Sequence, residues 1–135
     1  MNFRGTFAKL AETLINEGQP DSALLVLDKC INIMPDSLTP YNYLCLPLID
    51  LYYKLNKSEK AGNIAKRLAQ LTEQDLGYYF RLTVDQRKLI EYDIRIGLQI
   101  MQQLTMIAKE NKQDALAAKF EDSFKRYYTL YGGGT

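Results

Sequence analysis

One short turn occurs twice in the chain. Gly18-Gln19-Pro20-Asp21-Ser22-Ala23 reappears as Asn56-Lys57-Ser58-Glu59-Lys60-Ala61, each time a small or turn-forming residue with an acid three places on and an alanine five places on. Self-similarity at a fixed period restricts a chain to folds built by stacking one supersecondary unit. Asn111 to Leu116 aligns less well, with Asp114 as the acid and Leu116 where an alanine is expected. What flanks the turns decides which unit is repeated.

The flanks read as helices. Phe7, Leu10, Ala11 and Leu14 recur at spacings of three and four and stop at Gly18. Pro20 and Asp21 suit the first turn of a second helix, where proline loses no hydrogen bond and a carboxylate meets the positive end of the dipole. Its stripe is Ala23, Leu27, Cys30 and Met34, ended by Pro35. A third helix holds Leu48, Ile49, Leu51, Tyr52 and Leu55, with Pro47 at its start or kinking it. After Asn56 to Ser58 a fourth runs through Ala61, Ala65 and Leu68 toward Leu82, against the weakening effect of Gly77.

Thr83 and Gln86 match a capping box. Behind them Ile90, Ile94, Gly97, Met101, Leu104 and Ala108 predict one long central helix, its stripe widened by Ile96, Ile100 and Ile107. A last helix shows Ala117, Phe120, Phe124, Tyr127 and Tyr131. Glu91 with Arg95 and Asp122 with Arg126 are spaced for i,i+4 ion pairs. No window alternates long enough for a strand. The expected fold is all-α, with antiparallel helix pairs in a short right-handed stack of about five to seven helices. It forms one domain over 1–135, with units at about 4–37, 42–82 and 84–131.

The pairs resemble the tetratricopeptide repeat. Phe7, Leu10, Ala11, Leu14, Gly18, Ala23, Leu27, Cys30 and Pro35 fill its positions in the first unit. Cys45, Leu48, Ile49, Tyr52, Asn56, Ala61, Ala65 and Leu68 do so in the second, with Glu73 replacing the closing proline. Alanine at 23 and 61 lets the second helix of a pair approach the first.

Residues 13–82 are also similar to a narrower family. The runs INEGQPDSALLVLDKCINIMPDS, PYNYLCLPLIDLYYKL, SEKAGNIAKRLAQL and QDLGYYFRL resemble the C-terminal region of large multi-pass membrane proteins of Gram-negative bacteria. These are related to protein O-mannosyltransferases and classed as lipid-linked-sugar glycosyltransferases. The resemblance implies a helical-repeat appendage on the periplasmic side of the inner membrane, with transferase chemistry in a membrane portion outside this chain. Its partners would be the parent's membrane-spanning region in cis and a protein or peptide. An independent peptide-binding adaptor, on the cytoplasmic side, is the alternative.

Composition narrows the functions. Lys and Arg number 17 against 16 Asp and Glu, so a net charge of +1 gives no long-range pull on nucleic acid. No histidine is present, which removes His-based triads and the commonest zinc sites from this chain alone. Carboxylates are scattered and no glycine-rich phosphate loop occurs, so neither an enzyme, a metal nor a cofactor is expected here. The longest apolar run, Leu44 to Ile49, contains Pro47 and is far short of the ~20 residues of a bilayer span, so no direct bilayer insertion is expected. The chain opens almost directly into a helix and closes on Gly132-Gly133-Gly134, as a piece cut from a longer protein would.

In a repeat array the first helices of the pairs line the groove. That places Lys9, Glu12, Asn16, Tyr43, Asp50, Tyr53 and Lys54 as candidate peptide-binding residues, against the plainer reading of solvated helix faces. The positions that clamp a terminal carboxylate in some repeat domains hold Ala8 and Glu12, so that mode is not expected. The doublets Tyr52-Tyr53, Tyr78-Tyr79 and Tyr127-Tyr128 invite sugar stacking, although one inward and one boundary ring explains them as well. Cys30 and Cys45 fall on neighbouring helices, where a disulfide is possible and two buried thiols are expected.

Overall fold

The computed structural model describes residues 3–133, and all regular structure among them is helical. In order come α1 (Phe3–Asn16), α2 (Pro20–Ile33), a 3-10 turn (Tyr43–Cys45), α3 (Leu46–Lys54), α4 (Ser58–Tyr79), α5 (Val84–Leu89), α6 (Glu91–Glu110) and α7 (Asp114–Tyr128), closed by a π-type turn (Thr129–Gly133). The helices pack in antiparallel pairs, α1 on α2 and α6 on α7, with α3 against α1 and α2. The chain divides into two compact units, one ending at Leu68 and the other starting at Ala69, so the division falls inside α4.

Three turns share one hydrogen-bond pattern. Gly18 has φ +76°, its N–H donates to the Ile15 carbonyl at 3.1 Å, and the Gln19 N–H donates to Leu14 at 2.8 Å. Asn56 (φ 62°) and Lys57 repeat this on Tyr53 and Tyr52, and Lys112 (φ 58°) and Gln113 on Lys109 and Ala108. Each is a Schellman motif, in which one left-handed residue returns two N–H groups to the orphan carbonyls of the helix end. The left-handed residue of the third turn is Lys112, so the sequence alignment there is corrected by one place. Shifted, the alanine position holds Ala117, which is buried as Ala23 and Ala61 are. Their N–H groups donate equivalently to the Gln19, Lys57 and Gln113 carbonyls.

In the first unit Ala11, Ala23, Leu27, Cys30, Cys45, Leu48, Ile49 and Tyr52 form the core with the Ala61 to Leu68 stretch of α4. Pro47 stands in the first turn of α3 and kinks nothing. Leu10, expected in the α1 stripe, is 48% exposed, and the helix buries Arg4, Ala8 and Ala11 instead, with Arg4 only 3% exposed. The Arg4 guanidinium donates to the carbonyls of Pro40 (3.0 Å), Met34 (2.9 Å) and Thr39, and lies 5.1 Å over the Tyr41 ring. Asp36 ties the same loop from outside, accepting from the Tyr41 N–H at 3.0 Å and from Arg67 at 2.7 Å. Both cysteines are buried free thiols, their pKa values raised mainly by desolvation.

In the second unit α6 supplies the core through Ile94, Gly97, Leu98, Ile100, Met101, Leu104, Thr105, Ile107 and Ala108. Against it lie Leu76 and the Ala117 and Phe120 face of α7. A β-carbon on Gly97 would stand 2.8 Å from Leu76 Cδ2, so the glycine is a point of close approach. The expected long helix is two. The capping box at Thr83 and Gln86 forms, but the helix it starts ends at Leu89, and Ile90 (φ −121°, ψ 23°) breaks the path before α6. Stripe periodicity is satisfied by α6 alone, and α5 buries no side chain that would hold it in line. α4 stops at Tyr79, short of Leu82. The two expected i,i+4 pairs take other partners: Glu91 accepts from the Tyr131 hydroxyl at 3.0 Å, and Arg126 lies 4.8 Å over the Tyr127 ring.

Candidate functional site

The site emerges from what α7 does with its two sides. Toward α4, Ser123 donates to Glu73 at 2.6 Å, Tyr127 donates to the Glu73 carbonyl at 3.4 Å, and the Tyr127 ring stacks on Phe80 at 6.0 Å. Toward α6 it presents Phe124 and Tyr128, stacked at 5.4 Å. Between them and α6 lies an open groove of about 750 Å³, lined by Tyr92, Arg95, Ile96, Leu98, Gln99, Gln102, Phe124, Tyr128 and Tyr131. Tyr92 is 68% exposed, and Tyr128 and Tyr131 keep part of their rings in solvent. The hydrogen bond of Tyr131 to Glu91, with slight desolvation and the carboxylate's charge, raises that phenol's pKa. Among the lining residues there is no carboxylate. Tyrosine faces, two amides and a guanidinium can hold an elongated ligand by stacking and hydrogen-bond donation.

Two smaller clefts differ in kind. One of about 390 Å³ in the first unit is lined by Asp28, Ile31, Asn32, Tyr41, Tyr52, Lys60, Asn63 and Ile64. Its acid is already engaged: Asp28 accepts from Tyr52 at 2.8 Å and from Lys60 at 3.0 Å. Desolvation, then this bond and the nearby charge, push the Tyr52 phenol far up. The cleft is a stitched seam between α2, α3 and α4. The other, about 370 Å³, is lined by Phe80, Val84, Arg87, Lys88, Glu91, Ile94, Leu130 and Tyr131 and shares Tyr131 with the large groove.

Of the residues expected to line a groove, Lys9, Glu12 and Asn16 are exposed on α1, and Tyr43 is exposed in the 3-10 turn. Asp50 and Lys54 pair with each other at 3.4 Å. Tyr53 is only 7% exposed, packed in with the rest of α3, and presents no free ring to a ligand. None of the seven lines the three clefts. Of the tyrosine doublets, Tyr52-Tyr53 is buried on both sides, and Tyr127-Tyr128 divides between the α4 contact and the groove. The groove residues lay beside the apolar stripe that marked α6. Tyr92, Gln99 and Gln102 stand with Ile96, already counted in that stripe, at spacings of four and three, and are polar flank positions that core periodicity does not mark.

Comparison of the chain with protein-family models, curated proteins and solved structures gives no match in any of the three. Among the described residues no helix is long and apolar enough to cross a membrane, and no group of three or more His, Cys, Asp or Glu could hold a metal ion. Among the described residues the fold is an all-helical domain of seven helices packed in antiparallel pairs.

Proposed function

We propose that the chain is a non-catalytic helical interaction domain that docks a polypeptide along the α6–α7 groove. The observation that carries this reading is the groove itself, about 750 Å³ with tyrosine rings held open to solvent. Contiguous exposed apolar surface marks interaction sites, and Tyr and Arg are enriched among the residues that carry binding energy there. Reuse of one turn at Gly18, Asn56 and Lys112 supports a tetratricopeptide-like ancestry, in which grooves between stacked helices bind extended segments. The similarity of residues 13–82 to the tails of multi-pass membrane proteins extends the proposal. The domain is the periplasmic tail of a membrane glycosyltransferase-like protein, with the parent's membrane-spanning region as its cis partner.

A photo-crosslinking residue in place of Tyr92 in native cells tests the docking surface, with Lys66, exposed on α4, as the control site. A discrete polypeptide adduct from position 92 and none from 66 is expected. Equal labelling at both, or none at 92, overturns the assignment. In the same cells, an immunoblot band far above 15.5 kDa in the membrane fraction is expected for a tail. A soluble band near that mass overturns the membrane assignment and leaves a free-standing adaptor.

A further inference from the structure

We infer that the cleft between α5, α6 and the closing turn holds an amphipathic carboxylate. Its single negative charge sits on Arg87 and Lys88, and its alkyl or aryl body lies along the cleft's apolar wall. The cleft shares Tyr131 with the docking groove but not Tyr92, so the inference stands or falls without the docking reading. Charge, unmet hydrogen bonding and uncovered apolar surface each point to it.

The charge balance of the lining is positive. Arg87 and Lys88 face one acid, Glu91, and that acid accepts from the Tyr131 hydroxyl at 3.0 Å. Among the described residues neither cation forms an ion pair with Glu91. Lys88 reaches Asp85, at 3.8 Å and with both side chains mostly in solvent. One positive charge is left over within the cleft, which a single carboxylate balances.

Arg87 is the less satisfied of the two cations. Its guanidinium carbon lies 5.6 Å from the centre of the Phe80 ring, and its Nε is buried with no hydrogen-bond partner. The ring attracts the charge but offers no oxygen to the N–H groups. A buried donor without an acceptor is uncommon in a folded chain and singles the position out. A carboxylate matches the planar fork of an arginine, and the resulting bonds are charge-assisted. An uncharged sugar or alcohol supplies neither the charge nor that geometry.

The apolar wall sets the rest of the ligand. Ile94 is buried at its floor, while Val84 on α5 and Leu130 on the closing turn are 61% and 54% exposed. α5 buries none of its side chains, although Val84, Arg87 and Lys88 all line this cleft. A body lying between Val84 and Leu130 covers both, and ties α5 to its surroundings by a burial that the helix lacks on its own. An inorganic anion would leave these two side chains wet, and an alkane would leave Arg87 unanswered. The volume, about 370 Å³, falls at the low end of small-molecule sites, roughly 300–1,000 Å³, and suits a chain of medium length.

Amide NMR titrations provide the test, with octanoate as the probe. Acetate, 1-octanol and octylamine serve as its head-only, uncharged and charge-reversed counterparts. Saturable octanoate shifts are expected at Ile94, Leu130 and the Arg87 Nε–H, with affinity at least about tenfold above each counterpart. Arg87→Gln should weaken octanoate about tenfold and leave 1-octanol unchanged, a split that a merely structural loss would not produce. Arg87→Lys, which keeps the charge and loses the fork, should recover part of the affinity. Leu130→Ala should weaken octanoate about threefold and leave acetate unchanged. Octanoate should also slow deuterium exchange of the α5 amides while leaving those of α6 as they were. Equal affinity for octanoate and 1-octanol, or for octanoate and acetate, overturns the inference. So does octanoate binding that Arg87→Gln leaves intact, and so does the absence of saturable binding.

Discussion

Arg4 shows how much one side chain can organise. Its guanidinium replaces water for three carbonyls of the 34–40 loop, which has no regular structure to satisfy them. Arg4→Ala should therefore cost about 3 kcal/mol, read as a lower urea midpoint, because the carbonyls lose their donors together. Arg4→Lys should recover little of this, since one ammonium cannot span the fork that a planar guanidinium fills. At Gly97 the ordinary expectation is reversed. Alanine is worth about 1 kcal/mol over glycine within a helix, yet here its β-carbon meets buried Leu76. Gly97→Ala should lower stability by about 1–2 kcal/mol, and adding Leu76→Val should return part of the loss. The sequence revealed Gly97 as a stripe position. It could not reveal Arg4, because a basic residue on a first helical turn looks the same whether it faces water or a neighbouring loop.

Helix ends were legible where their residues advertise them. Gly18, Pro20 and the Thr83–Gln86 box each carry their own geometry, and the structure uses all three as read. The third turn hid because lysine, not glycine or asparagine, adopts its left-handed conformation. Lys112→Gly should accordingly raise the melting temperature, the relief being about 1 kcal/mol, whereas Gly18→Ala should lose a similar amount. Differential scanning calorimetry of the two variants checks both signs. The break at Ile90 had no glycine or proline to announce it. Apolar spacing continues across it in sequence although the backbone turns, so periodicity alone joined α5 to α6. The groove was hidden for a related reason: its tyrosines and glutamines read as the wet flank of a core helix until α7 is placed beside them.

At the scale of the molecule, two carboxyls, one in each unit, answer acid with opposite signs. Desolvation pushes the Asp36 carboxyl up, but the Tyr41 N–H, Arg67 and Arg4 outweigh it and hold the pKa below the ordinary carboxylate range. The folded state thus binds that proton less readily than the unfolded chain. Its stabilisation is whole above about pH 4 and is lost as pH falls through the depressed pKa. In the second unit, desolvation and then the charge of Asp93 raise the Asp75 carboxyl. There the folded state favours the proton, so a stabilisation present in acid is lost as pH rises through the raised pKa. Asp36→Asn should flatten the acid limb of a urea-midpoint profile, and Asp75→Asn should raise the neutral plateau. Interleaved titrations from pH 3 to pH 7 would separate the two. The short helix α5 buries none of its side chains, and its Leu89 is 87% exposed. It can therefore open without uncovering the core beneath α6. Its amide protons should exchange with deuterium long before those of α6, and a protease should find its first cut there while both compact units remain folded.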